Sequence, residues 1–146
     1  MPAARAVTII VHDEVLADAD AQRIDAGLHA HNLAAAPLQQ VQPLACVAHS
    51  AAGAVIGGAI GRTWGECAEL QQLWVDDAHR RQGIGGQLVR RFEQRALERG
   101  CRRCYLDSFS FQAPGLYRAL GYRPALEIAG FAPGVTKWTF VREFRP

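Results

Sequence analysis

The sequence predicts an α/β fold: a mixed, mostly antiparallel central sheet of about six to seven strands, flanking helices, and one parallel βαβ unit in its middle. Three observations point there. Short β-branched or alternating runs, separated by turn residues, recur along the chain. One segment, beginning at Gly83, carries a helical apolar period between two such runs. Two final runs flank a Pro133-Gly134 turn, which reads as a closing hairpin.

Taken in order, Val7 to Val11 is a β-branched run and reads as a first strand. Ala17 to His31 follows as a moderately amphipathic helix, with Ile24 and Leu28 on one face. Pro37 and Pro43 punctuate the linker; Leu44 to His49 then alternates into the Ala51-Ala52-Gly53 turn, and Ala54 to Trp64 resumes as the return strand of a hairpin. Gly57, Gly58 and Gly61 weaken that strand as a plain ladder and predict a bulge or a close backbone approach. After a Gly65-Glu66 turn, Glu69 to Val75 reads as the next strand.

From Gly83 the apolar positions Ile84, Leu88, Val89, Phe92, Ala96 and Leu97 keep helical spacing, with Arg90, Arg91, Glu93, Gln94 and Arg95 on the other faces. Gly100 stands where a C-terminal cap glycine belongs. Arg103 to Phe109 is again a strand, so strand, helix and strand make a parallel, right-handed crossover. A short helix over Ala113 to Leu120 ends at Gly121, and Ala125 to Ala129 and Val135 to Phe144 supply the last two strands.

A chain of 146 residues fits one domain, residues 1–146; at about this length folding buries roughly 68–70% of the unfolded surface. With 49% hydrophobic and 21% charged residues the chain is too apolar to be disordered. A net charge of +2 creates no overall field for nucleic acid, so any anion site must be local. Half of the 16 Lys and Arg residues do cluster, between Arg80 and Arg103. Neither a long apolar run nor a secretory leader pattern is present, which predicts a cytoplasmic protein without a membrane partner. The four cysteines are expected reduced and mostly buried; Cys101-x-x-Cys104 lacks a second such pair and reads as packing, so no metal is expected.

The segment Arg80-Arg81-Gln82-Gly83-Ile84-Gly85-Gly86 joins a strand end to the strongly periodic helix. Unpaired N–H groups and the helix dipole there favour an anion, glycines allow close approach, and the arginines add full charges. A diphosphate is the natural guest. No Gly-Lys-Ser/Thr follows, which excludes a P-loop, and no G-x-G-x-x-G opens the first βα turn, which argues against a dinucleotide fold.

Arg80 to Gly85 resembles the Q/R-x-x-G-x-G/A signature of the GNAT acetyltransferase superfamily, with Leu73-Trp74-Val75-Asp76 in the strand ahead of it. The stretch from Phe111 to Tyr122, with Leu116-Tyr117-Arg118-Ala119-Leu120-Gly121-Tyr122 at its core, is similar to that superfamily's late helix. The resemblance implies an acetyl-CoA-dependent N-acetyltransferase with no metal. It sets the cofactor pyrophosphate on Arg80, Arg81, Gln82, Gly83, Ile84, Gly85 and Gly86, and the pantetheine along the strand edge Leu73, Trp74 and Val75, where N–H groups near Val75 polarise the thioester carbonyl. That edge is expected to be freed by a splay from the Arg103 to Phe109 strand.

The same resemblance implies Tyr117 as the general acid for the departing thiolate. Glu69, on the strand leading to the cofactor, is the carboxylate expected to serve as base, with a solvent-facing or salt-bridged strand glutamate as the alternative. Ser110 stands where the superfamily often has asparagine, and it and Ala113 are expected beside the pantetheine. Trp64, Trp74 and Trp138 are expected in sheet or core packing. The acceptor is expected to be a small primary amine attacking directly in a ternary complex. A protein or peptide acceptor and a non-catalytic CoA-binding sensor are the competing readings. A homodimer through the last strands is compatible with the sequence, although no residue pattern calls for one.

Overall fold

The structure, a computed structural model, describes residues 6–144. The chain divides into two compact units, the first ending at Leu38 and the second beginning at Gln39. The first unit contains α1, Asp18–Ala35, which runs past the expected end at His31 and has no buried residue. Val7 to Val11, expected as a strand, has none of its residues in a ladder; Val7, Ile9, Ile10 and Val11 are all more than two-thirds exposed. β-branched residues favour a strand only where a neighbouring ladder takes up their N–H and C=O groups and a face is buried. Neither condition is met there.

The second unit is a six-stranded sheet of β1 (Gln42–His49), β2 (Val55–Trp64), β3 (Cys67–Val75), β4 (Arg103–Phe109), β5 (Arg123–Ala132) and β6 (Val135–Glu143), in the order β1-β2-β3-β4-β6-β5. The β3–β4 pair is parallel and every other pair antiparallel. Helix α2, Ile84–Glu98, makes the crossover and packs on β1, β2 and β3. A short α3, Pro114–Ala119, follows β4. Among the described residues, no helix is long and apolar enough to cross a membrane.

The core forms between α2 and one sheet face. Leu88, Val89, Phe92 and Ala96 from the helix meet Ala59, Ala68, Leu70, Leu106 and Phe140 from the strands. Full burial of a side chain such as Phe92 contributes about 1.5–3 kcal/mol. The helix lies close because the strand beneath it carries glycine. A Cβ on Gly61 would overlap the Glu69 carbonyl oxygen and sit 2.8 Å from the Phe92 ring, and the β2–β3 register slips between Ile60 and Gly61. Bulge and close approach, both expected from these glycines, occur together.

Helical spacing put Glu93 on a polar face, but it is 4% exposed. Its position four residues after Val89 and three before Ala96 puts it on the inner stripe, where three donors satisfy it. Arg142 reaches Oε2 at 2.7 Å, Arg90 reaches Oε1 at 2.9 Å, and the Tyr122 hydroxyl donates to Oε2 at 3.2 Å. A buried carboxylate is tolerable only when paired and hydrogen-bonded. This cluster joins α2 to β6 and to the end of α3. Cys101 and Cys104 pack in the core, as expected, and all four cysteines are free. Burial pushes the Cys104 thiol up to about 12, so it is an inert packing group.

Candidate active site

The decisive feature is where β3 and β4 part. Their parallel pairing covers Cys67↔Arg103, Ala68↔Cys104 and Glu69↔Tyr105, and stops. Beyond it β3 stays paired to β2 as far as Val75↔Gly57, while its other edge has no β4 partner. A cleft of about 840 Å³ opens at this split. Leu73, Trp74 and Val75 line it along one strand, Arg80, Arg81, Gly83, Ile84, Gly85 and Gly86 at one end, and Ala113 and Tyr117 from the late helix region.

The loop that closes one end is shaped by two left-handed residues, Arg81 at φ 61° and Gly83 at φ 77°. Glycine takes that conformation freely, whereas in arginine it costs roughly 1–2 kcal/mol. The first intrahelical donor of α2 is the Gln87 N–H, bonded to the Gly83 carbonyl at 3.1 Å. The N–H groups of Ile84, Gly85 and Gly86 therefore have no backbone partner among the described residues, and Gly83 provides no side-chain cap. These are the orphan donors and positive dipole end that suit a phosphate. Arg80 braces the loop, its Nε donating to the Val75 carbonyl at 3.1 Å and its Nη1 lying 2.9 Å from Asp77. The hydrogen bond from His79 holds the Asp76 carboxyl below its usual range and fixes the turn before the loop.

Tyr117 is 7% exposed and lies against Tyr122 and Phe140, with ring centroids 6.0 Å away in both cases. Burial pushes its phenol up to about 12, with the neighbouring Cys104 adding to the rise. At neutral pH the hydroxyl keeps its proton.

Other expected residues are placed differently. Glu69 lies at the last paired position of the split and does not line the cleft; its Oε2 accepts from Arg62 Nε at 2.8 Å. It sits beside Tyr105, whose phenol is raised first by burial and then by the Glu69 charge. The salt-bridged alternative describes its geometry. Ser110 also lies off the cleft wall: its hydroxyl donates to the Gly134 carbonyl at 3.3 Å and accepts from the Thr136 N–H at 3.1 Å, pinning the β5–β6 turn. Gln82 is exposed on the loop but is not part of the lining. Trp138 packs against the core, whereas Trp64 and Trp74 are 43% and 51% exposed and are not core residues.

The structure adds His79, Asp107, Phe111 and Leu116 to the wall. Strand alternation puts Asp107 two residues past Tyr105 on one face; only the split, a tertiary feature, turns that position into a cleft residue.

Residues 14–122 match the acetyltransferase (GNAT) family. The chain belongs to this family. Over 111 residues this acetyltransferase is 36% identical to the blasticidin-S acetyltransferase of Streptomyces morookaense, covering 73% of this chain and 82% of that protein. Over 108 residues it is 32% identical to an acetyltransferase of Agrobacterium fabrum, covering 73% of this chain and 79% of that one. A crystal structure of an acetyltransferase from Bacillus cereus superposes with a TM-score of 0.78 at 28% identity, covering 92% of this chain and 98% of the other.

Proposed function

We propose that this acetyltransferase moves an acetyl group from acetyl-CoA to a primary amine of a small molecule, by direct attack in a ternary complex. The observation that carries the proposal is the convergence, in one cleft, of a free strand edge, unpartnered helix-start amides and a buried tyrosine. The residues fit the cofactor. The Ile84, Gly85 and Gly86 amides and the Arg81 guanidinium suit a pyrophosphate, and the Leu73 to Val75 edge suits the amides of a pantetheine arm, which can add to a strand edge. Similarity to a blasticidin-S acetyltransferase supports a small acceptor.

Bound acetyl-CoA supplies a thioester: the amine nitrogen forms the C–N bond, the C–S bond breaks, and an amide and CoA result. Tyr117 holds its proton at the phenolic oxygen, and in this reading gives it to the departing sulfur. An alkylammonium has a pKa of about 10.4, so it first gives a proton to water; the neutral amine attacks, and the proton it loses on becoming an amide makes good the one Tyr117 gives to sulfur. The strand N–H groups near Val75 polarise the carbonyl.

The test is a thermal shift with acetyl-CoA, CoA and NAD, followed by a thiol-release assay across amines. A ligand at 100 times its Kd adds about 2.7 kcal/mol of stability. Stabilisation by both CoA species but not NAD, with amine-dependent thiol release, is the expected result. No shift with either CoA species would overturn the reading.

A further inference from the structure

We infer that Asp107 is the acceptor-side carboxylate of this cleft, and that the acceptor is a cationic amine carrying a flat apolar ring. The inference rests on the acetyl-transfer reading above. Alternate residues of a strand share a face, so Asp107 stands on the side of Tyr105 and Glu69, one step beyond the last β3–β4 pair. It is thus the first carboxylate past the point where the strands part, and it lines the cleft, whereas Glu69 is held by Arg62.

Asp107 is also braced. It pairs across the ladder with Thr139, whose hydroxyl donates to Oδ1 at 2.6 Å, and Lys137 Nζ lies 3.5 Å from Oδ2. An ionised carboxylate has about four lone-pair sites, and its half-exposed side chain leaves capacity for another donor. The Lys137 contact is long at 3.5 Å, its side chain is 32% exposed and its ammonium also lies 5.7 Å from the Phe109 ring, so it shares the carboxylate and leaves open sites on it. An incoming ammonium can therefore take a place on Asp107 while Thr139 keeps the carboxylate oriented.

The same cleft wall carries exposed aromatic surface outside the hydrophobic core. Phe111 lines the cleft at 70% exposure and stacks on Phe109 at 5.3 Å with a 10° interplanar angle; Phe131 holds Phe109 edge-on at 5.1 Å. Trp74, also on the wall, comes from the other strand of the split. Aromatic faces on the wall of a cleft that also carries a carboxylate favour a planar apolar group joined to a cation, through stacking and through attraction of the cation to the rings. An acceptor whose amine lies beside its own carboxylate would meet repulsion from Asp107.

The experiment measures binding to the full chain saturated with CoA, by calorimetry, using tryptamine, tryptophan, propylamine and the neutral indole-3-ethanol as probes. Expected is tryptamine binding at least about 10-fold tighter than each of the other three. Asp107→Asn should weaken tryptamine by about 10-fold or more, as loss of a hydrogen bond to a charged group does, without changing the Kd for CoA. Asp107→Glu should recover part of the loss. Phe111→Ala should weaken tryptamine by roughly 2- to 10-fold and leave propylamine unchanged. Unchanged tryptamine affinity in Asp107→Asn, or no tryptamine binding to the CoA-loaded protein, overturns the inference while leaving acetyl transfer standing. Failure of CoA itself to bind removes the acetyl-transfer reading and this inference with it.

Discussion

Replacing Glu93 by Gln tests whether the buried ion cluster ties α2 to the far side of the sheet. The Glu93 side chain is 5% exposed and accepts from Arg90, Arg142 and Tyr122. Removing one partner of a buried ion pair costs about 3–5 kcal/mol, because the remaining charge is left unpaired. Here both cations have an outlet to water, since the Arg142 and Arg90 side chains are 30% and 46% exposed. Glutamine also keeps an oxygen for the Tyr122 hydroxyl. Those two offsets bring the expected loss to roughly 2–3 kcal/mol. For a chain near this size each kcal/mol moves Tm by about 2–4 °C, so Glu93→Gln should melt about 4–12 °C lower by calorimetry. The Glu93→Gln, Arg142→Gln double variant should lose less than the sum of its singles, by about 0.5–3 kcal/mol. A drop below about 2 °C for Glu93→Gln, or strict additivity in the double variant, refutes the reasoning.

Tyr117→Phe should lower kcat by about 10²–10⁴ with the Kd for acetyl-CoA nearly unchanged, and equal turnover would remove the phenol from the mechanism. All three tyrosines are raised above their ordinary value, Tyr105, Tyr117 and Tyr122 alike chiefly by burial. Unfolded tyrosines ionise near pH ~10, so between there and about 12 the unfolded chain binds fewer protons than the native one and stability falls as pH rises. Absorbance at 295 nm should show no tyrosine of the native protein titrating at its ordinary value, and a transition there without unfolding would contradict the burial described. Gly61→Ala should destabilise by at least about 1–3 kcal/mol in urea melts, because its methyl group meets backbone that cannot rotate away; a change within about 0.5 kcal/mol would show that the bulge can relax.

What the sequence determined by itself is largely local. The 3.6-residue period from Ile84 onward, the glycine at the helix start and the alternating hairpin strands each follow from short-range sterics and from which face must be buried. They place α2, α3 and the six strands of the second unit within a few residues of their observed ends. The loop from Arg80 to Gly86 is legible for the same reason: left-handed backbone and orphan amides are properties of a short segment. Tertiary structure decided the rest. Val7 to Val11 has strand-forming residues but no ladder to join. Glu93 reads as a surface glutamate until Arg142, 49 positions away, closes on it. Glu69 and Asp107 are both strand carboxylates in the sequence, and what separates them is the point at which β3 and β4 stop pairing. Such a parting depends on how helix and strands pack at long range, and no window of residues carries it.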